Sequence, residues 1–131
     1  MSRTTWTDDE LARIEAADEL ELAALRGDDS LRKPVTIWVV RDRDDLYVRS
    51  VNGSTAAWFR GTQTRHEGRI RAGGVEKDVT FVNADHDIED QIDAAYRAKY
   101  RRYAANIISS IVSSKARSST IKLVPLRPMA P

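Results

Sequence analysis

The apolar positions near the N-terminus follow a helical repeat. Leu11 and Ile14 recur at a spacing that places them on one helix face, and Thr7 with Glu10 forms the sequence of a capping box. The two aspartates between the capping residues suit the positive end of a helix dipole. The pattern predicts a helix over about 7–17.

After this helix the pattern becomes that of β-strands. Residues 20–26 fit either an extension of the helix or a strand, and we interpret them as a strand because the turn cluster Gly27–Ser30 and a strand-like run follow. That run, Leu31–Val40, is rich in β-branched and aromatic residues. Since 35–40 is almost continuously apolar, we expect a strand buried on both faces, with Trp38 as a core or interface residue.

Further strands and helices are predicted along the rest of the chain. The strands are 46–51, 65–72, 75–83 and 120–124, with Gly73-Gly74 as a two-residue primed turn. The helices are 55–60, 88–103, capped by Asp85 or Asp87, and 106–112. Antiparallel strands joined mainly by hairpins tend to close into a small barrel, because closure removes unpaired strand edges. The predicted fold class is α+β.

The composition is that of a single globular domain. The domain covers 1–131, with 1–18 as an N-terminal helical extension and 125–131 as a loose, proline-rich tail. The chain has no cysteine, which excludes disulfides, thiolate metal sites and cysteine nucleophiles. No apolar run approaches the ~20 residues that a membrane span needs, and the N-terminus lacks the pattern of a signal peptide. We therefore expect a cytoplasmic protein without a membrane partner.

Charge is unevenly distributed, although the net charge is only +1. Residues 1–30 carry nine acidic and three basic side chains, whereas 96–131 carry eight basic and no acidic ones. The two ends are expected to attract each other, within one chain or between copies. The basic part lacks the signals of nucleic-acid-binding modules, and neither His66 nor His86 has a second ligand at metal-binding spacing. We expect neither a nucleic-acid partner nor a metal site.

The main candidate binding site is a polar segment at the end of a predicted strand. It combines the guanidinium of Arg49, the hydroxyls of Ser50 and Ser54, the amide of Asn52 and the flexible Gly53. These groups suit a phosphate, which accepts several charge-assisted hydrogen bonds. The same residues also fit an ordinary strand end followed by a turn. From the residues alone, both interpretations stay open.

Two further groups of residues are candidates. Arg60 belongs to a basic set, with arginines of strand 65–72, that fits either a positive rim or an exposed strand face. Tyr96 and Lys99 lie on one face of the predicted long helix, with Tyr100 beside it. These side chains suit either a ligand or the docking of the helix on the sheet.

Several stretches, in their order along the chain, resemble parts of one known superfamily. Leu20–Val40 is similar to its opening hairpin, and Tyr47–Ser50, Gly53 and Trp58-Phe59 are similar to a strand, glycine and helix-tryptophan pattern in one of its branches. This is the split-barrel superfamily, which includes pyridoxamine phosphate oxidase and the deazaflavin-dependent nitroreductases. Residues 19–124 resemble more closely an uncharacterised bacterial family of this fold, in Arg32–Trp38, Leu46–Gly53, Trp58–Ile70 and Tyr96–Tyr103.

The resemblance implies a six-stranded antiparallel split β-barrel that forms a homodimer, with FMN or a deazaflavin in a groove between the two chains. Basic and hydroxyl side chains would hold the phosphate, a basic residue being expected at Arg32 or Lys33, and Trp58 would flank the ring. The implied activity is reduction of a small organic substrate, and the sequence does not choose between Tyr96 and Tyr100 as a proton donor. The residues expected around the cofactor are Arg49, Ser50, Asn52, Gly53, Ser54, Trp58, Arg60 and Lys99.

Two positions depart from the superfamily's pattern. Ala56 stands where the oxidase branch has a lysine, and Asp28 and Asp29 occupy the loop where the nitroreductase branch has an arginine. Both departures remove a positive charge that is expected near a phosphate. They favour an alternative function of another class, a non-enzymatic split barrel that has lost its flavin site and binds a small anionic ligand.

Overall fold

The computed structural model describes residues 5–126, so most of the tail predicted over 125–131 lies outside the described residues. The helices are α1 Asp8–Ala16, α2 Ala57–Thr64, α3 Glu89–Lys99, α4 Ala105–Ile111 and α5 Ser114–Arg117. The strands are β1 Leu20–Ala24, β2 Val35–Ile37, β3 Val40–Asp42, β4 Asp45–Val48, β5 Glu67–Ala72, β6 Val75–Asn83 and β7 Ile121–Pro125.

Helix α1 begins with the predicted capping box. The Thr7 hydroxyl accepts a hydrogen bond from the Glu10 amide at 3.1 Å, and the Thr7 amide donates to the Glu10 carboxylate at 2.9 Å. Leu11 and Ile14 are buried in the main core. Just before the cap, the Trp6 indole N–H donates to the carbonyl of Leu123 at 2.9 Å, which ties the start of the helix to β7.

Within residues 5–126, the seven strands form one antiparallel sheet, in the order β2-β1-β5-β6-β7-β4-β3. The two outermost strands, β2 and β3, are consecutive in the chain and are separated only by Trp38 and Val39. This short link keeps the two edges within about 11 Å of each other. A flat sheet of this many strands would separate them by about 29 Å. The sheet therefore curls into a half-barrel.

The prediction of six strands is wrong, because the run over 35–40 forms parts of two strands rather than one. Val35–Ile37 pairs with β1 at one edge of the sheet and is only partly buried, so burial on both faces is also wrong. The chain leaves the ladder at Val39, whose amide donates to the Tyr100 hydroxyl at 3.2 Å and whose carbonyl accepts from Lys99 Nζ at 2.7 Å. Side chains of a distant helix thus satisfy the backbone groups that the ladder loses.

The positions of β5 and β6 were predicted more closely than those of the helices. Gly73 and Gly74 form the primed turn between β5 and β6, with φ values of +59° and +83°. The predicted cap of α3 is wrong, because α3 starts after a short 3₁₀ turn and Asp85, which precedes that turn, makes no side-chain capping bond. Helix α3 also ends at Lys99, and the short helix α5 was not predicted.

Apolar side chains collect on both faces of the sheet. The larger cluster lies inside the half-barrel and includes Leu46 and Val48 of β4, together with the buried residues of α1. The smaller cluster lies on the opposite face, where α3 covers β3 and β4 and Tyr47 packs against Tyr96 and Tyr100. Since neighbouring strand residues point to opposite faces, β4 contributes to both clusters.

Among the described residues, the acidic N-terminal part and the basic C-terminal part are joined by an ion pair. Arg102, just after α3, forms an ion pair with Asp18, just after α1. Across residues 5–126, no helix has the length and apolar character needed to cross a membrane. In the same range, no three acidic or histidine side chains group as metal ligands.

Candidate functional site

An aromatic cleft opens beside the edge strand β2, between the end of β4 and helices α2 and α4. Its volume is about 210 Å³. Most of its wall is apolar and consists of Ile37, Trp38, Val51, Trp58, Ile107 and Ile111. Its polar groups belong to Thr36, Arg49, Ser50 and Ser110. A largely apolar wall with a few polar groups is the usual character of a small-molecule site.

Ser50 is the most informative polar residue of this cleft. Its backbone is fixed, because its amide donates to the Ser119 hydroxyl at 2.8 Å. The residue is only 1% exposed, and its own hydroxyl oxygen has no hydrogen-bond partner in the part of the chain that the structure describes. A buried hydroxyl without a partner is unfavourable by about 1–3 kcal/mol. Ser50 is therefore placed to hydrogen-bond a ligand.

Arg49 lies at the same cleft, but its guanidinium is bound within the chain. Nε donates to the Thr120 hydroxyl at 2.8 Å, and one terminal nitrogen donates to the Asp93 carboxylate at 2.5 Å and to the Ile111 carbonyl at 3.2 Å. The other terminal nitrogen donates to the Glu89 carbonyl at 3.2 Å. These contacts use four of the five N–H groups of an arginine. The side chain thus connects β4 to α3, α4 and β7.

Two tryptophans give the cleft its aromatic wall. Trp38 stacks on Tyr100 with ring centres 3.8 Å apart and planes inclined by only 2°, which holds the indole in place. Trp58 lies half-buried on α2 and meets the edge of Phe59 at 6.2 Å. Trp58 was expected at the site. Trp38 was expected in the core or an interface, and it lines the cleft because it lies in the link between the two edge strands β2 and β3.

A second, basic cleft lies on the other side of Trp58 and has a volume of about 220 Å³. Arg32 and Lys33 supply its positive charge, and the first turn of α2 contributes Ala57. The Nε of Arg32 is buried and lacks a hydrogen-bond partner within residues 5–126. No side chain in the described part of the chain caps α2, so its N-terminal amides add partial positive charge. The basic cleft suits an anionic group.

The turn at Gly53, which follows the cleft residues Arg49–Val51, packs closely against α5. Gly53 has φ of +64°, and a Cβ there would lie 2.5 Å from Lys115 Cγ and 2.9 Å from the Lys115 carbonyl oxygen. Only glycine fits this approach of the turn to α5. Asn52 and Ser54 flank it as exposed residues that line neither cleft.

Two other expected residues also lie outside the clefts. Arg60 is exposed on α2, two positions beyond Trp58 and so turned away from it around the helix. Lys99 lies on the far side of β3, where it bonds the Val39 carbonyl and lines a separate groove. Of the eight expected residues, the clefts bring together Arg49, Ser50 and Trp58.

The tyrosines considered as proton donors are buried among protein atoms. Burial raises the pKa of the Tyr96 hydroxyl and that of the Tyr100 hydroxyl, which makes both weaker acids. Tyr100 donates its proton to the Asp18 carbonyl at 2.6 Å. Neither tyrosine lines the aromatic cleft. Sequence reasoning also missed the contribution of α4, which lines the cleft with Ile107, Ser110 and Ile111.

Solved structures with the same fold include an oxidase, a reductase and a nucleotide-cofactor-binding protein. A putative pyridoxamine 5'-phosphate oxidase from Listeria innocua is 17% identical, with a TM-score of 0.62 over 92% of this chain and 93% of that one. An F420 reductase is 11% identical, with a TM-score of 0.56 over 88% and 92% of the two chains. An FAD-binding protein from Mesorhizobium loti is 12% identical, with a TM-score of 0.54 over 94% and 92%. At these identities the likeness shows the fold alone, and that fold agrees with the one that the sequence resemblance implied.

The sequence comparisons define the family more narrowly. Among curated proteins, none matches this chain. The model of one bacterial family matches residues 10–123. This range includes both clefts and all the strands apart from the last two residues of β7. The chain belongs to this family, DUF2255, described as an uncharacterized protein conserved in bacteria.

Proposed function

We propose that this protein binds FMN or a deazaflavin, with the ring in the aromatic cleft and the phosphate in the basic cleft. The main supporting observation is the position of Trp58, which lies between a cleft containing the Ser50 hydroxyl and a cleft containing Arg32 Nε, two buried atoms that have no hydrogen-bond partner among residues 5–126. The fold it shares with an FAD-binding protein and an F420 reductase supports this class of ligand.

The residues present fit such a cofactor, in an arrangement that differs from the expected one. Arg32 and Lys33, rather than Arg49, have positive charge available for a phosphate. Ser50 is placed to bond a polar edge of the ring, and Trp58 to pack against its face. When bound, the cofactor would supply hydride chemistry for a small organic substrate. The chain would bind and orient the ring and exclude water from it.

The size of the clefts favours a site that two chains complete. Each cleft, at about 210 and 220 Å³, is below the ~300 Å³ at which ligand pockets usually begin. Val51 and Ile107, on the wall of the aromatic cleft, are 48% and 44% exposed although both are apolar. A second copy would cover these side chains and enlarge the groove. We therefore propose a homodimer with the cofactor groove at its interface.

The ligand proposal is tested with a matched pair of arginine variants. Arg32→Gln is expected to weaken FMN binding about 10- to 100-fold, because a charge-assisted hydrogen bond to phosphate is lost. Arg60→Gln, at the exposed arginine on α2, is expected to leave the Kd unchanged. Ser50→Ala is expected to weaken the binding of both FMN and riboflavin about 2- to 10-fold. Quenching of flavin fluorescence on titration measures each Kd, and thermal melting checks that the variants are folded.

The titration also separates the two candidate functions. A small anion alone fits the basic cleft without a second chain, which is the observation that favours a non-enzymatic anion-binding module. If the wild-type protein binds neither FMN nor a deazaflavin but binds inorganic phosphate, and Arg32→Gln abolishes that binding, the anion-binding function replaces the cofactor proposal. If Arg60→Gln weakens FMN binding as much as Arg32→Gln, the basic cleft is not the phosphate site.

The homodimer is tested independently of any ligand. Ile107→Glu is expected to dissociate the dimer into monomers, because it buries a charge in an apolar interface. Val82→Glu serves as the control, since Val82 is 41% exposed on β6 and lies outside the aromatic cleft. Light scattering coupled to size-exclusion chromatography measures the mass. A monomeric wild-type protein at micromolar concentration, or equal effects of the two variants, would contradict the proposed interface.

A further inference from the structure

A third concave site, the Lys99 groove, lies on the opposite side of β3 from the aromatic cleft. It is bounded by α1, β3 and α3, has a volume of about 300 Å³ and shares no lining residue with either cleft. Its walls include Glu15 and Arg41, and the small side chains of Ala95 and Ala98 leave space above Lys99. An inference about this groove is therefore independent of the proposed cofactor.

The amine of Lys99 has an unusual set of neighbours for a lysine. Nζ donates to the Val39 carbonyl at 2.7 Å, and the same carbonyl lies 3.1 Å from the Tyr100 hydroxyl. Of the carboxylates within residues 5–126, none approaches this Nζ to 4.0 Å. Lys77 provides a contrast, because it is also partly buried but pairs with the Glu10 carboxylate at 2.7 Å. Nζ also lies 5.2 Å from the centre of the Tyr100 ring. A half-buried ammonium whose neighbours are a carbonyl and an aromatic ring, without a carboxylate, is poorly compensated for its lost hydration.

Burial and the charged groups around the groove together set the pKa of the Lys99 amine. Burial lowers the pKa of Lys99 to about 8, and the nearby positive charge of Arg102 acts in the same direction. The carboxylates of Asp18 and Glu15 oppose the shift, and Arg41 brings a further positive charge to the groove. Near pH 8 about half of the Lys99 amines are then neutral, compared with well under 1% of ordinary lysines. A neutral lysine amine is a nucleophile.

We propose that Lys99 is a covalent modification site at which small aldehydes form a reversible imine. The lone pair on Nζ attacks the aldehyde carbon, and proton transfer gives a neutral carbinolamine. The carbinolamine then loses its oxygen as water, together with the two hydrogens of the original amine, and leaves a C=N bond. No oxidant or reductant takes part. The open groove admits the aldehyde, and the hydrogen bond to Val39 positions the amine at its floor.

The proposal is tested on the folded wild-type protein, so that no variant needs to fold. The protein is incubated with acetaldehyde and sodium cyanoborohydride, which traps the imine as a secondary amine, and labelling is quantified by peptide mass mapping. The chain has five lysines, at positions 33, 77, 99, 115 and 122, and the α-amine is assigned separately from its own peptide. At pH 8, Lys99 is expected to be labelled at least about tenfold more than Lys77 or the exposed Lys115.

Two measurements decide the outcome. The labelling of Lys99 is expected to rise with pH to a midpoint near 8. In urea, where the groove is absent, the five lysines are expected to label about equally. Labelling of Lys99 at or below the level of Lys77 in the folded protein would overturn the proposal. A preference for Lys99 that persists in urea would also overturn it, because the cause would then be the local sequence.

Discussion

Replacing Arg49 by methionine is expected to lower the free energy of unfolding by about 3–5 kcal/mol. The side chain is fully buried, and its guanidinium bonds the carboxylate of Asp93, the hydroxyl of Thr120 and two backbone carbonyls. Methionine fills much of the space but replaces none of these hydrogen bonds, and it leaves the Asp93 carboxylate with only the part-exposed Arg117, 3.4 Å away, as a cationic partner among the described residues. Removing one partner of a buried ion pair is far more destabilising than removing both. Chemical denaturation of the two proteins measures the difference.

The control for this prediction is a second variant at the same contact. Arg49→Met/Asp93→Leu is expected to be more stable than Arg49→Met by at least about 1 kcal/mol, because the buried carboxylate is gone. Arg60→Met, at the exposed arginine of α2, is expected to change stability by less than about 0.5 kcal/mol. If Arg49→Met unfolds at the same denaturant concentration as the wild-type protein, Arg49 does not hold the helices to the sheet.

The result also decides how binding experiments are interpreted. Loss of ligand binding in an Arg49 variant would follow from disruption of α3 and α4. Helix α4 lines the aromatic cleft, and α3 packs behind it. Such a loss would not identify Arg49 as a phosphate ligand. Arg32 and Ser50 are the better positions for that question, because a buried atom of each side chain lacks a partner within residues 5–126.

Gly68→Ala is expected to destabilise the protein by about 3 kcal/mol or more. Gly68 lies in β5, between Ala24 of β1 and Val79 of β6. A Cβ at this position would lie 2.3 Å from the Ala23 carbonyl oxygen and 2.8 Å from two carbons of the Phe81 ring. The carbonyl belongs to a neighbouring strand, so it cannot move without distorting the ladder between β1 and β5.

Gly27→Ala is the matched control for this substitution. A Cβ at Gly27 would have nothing within 4 Å, and the residue is exposed in the turn after β1. Its substitution is expected to shift the melting temperature by no more than about 2 °C in either direction. A Gly68→Ala protein that melts as the wild type does would show that β1 and β5 are less closely packed than described.

Much of the local structure was predictable because its causes are local. The capping box of α1 and the Gly73-Gly74 turn each depend on residues within three positions of one another. The strands β5 and β6 follow from alternation along a single segment. The predicted cap of α3 failed because the short 3₁₀ turn His86–Ile88 precedes the helix, so that Ile88 takes the N-cap position and no side chain of the described residues caps it.

The candidate site was predicted in part. Ser50 and Trp58 were identified from residue type and from the resemblance, and both line the aromatic cleft. Arg49 was identified for the same reasons, but its partners Asp93 and Thr120 are 44 and 71 positions away along the chain. No local pattern shows that a guanidinium will be satisfied by residues so distant. The role of Trp38 was also unpredictable, since it depends on which strand lies at the sheet edge.

The sequence by itself determined the α+β class, the α1 cap, most strand positions, the absence of thiol chemistry and, through its order of motifs, the family. These features depend on short-range geometry and on residue chemistry. Only the tertiary structure decided that the sheet has seven strands, that Arg49 is internal and that Lys99 lies in its own groove. The physical reason is that burial and hydrogen-bond satisfaction depend on segments that meet only after the sheet has curled.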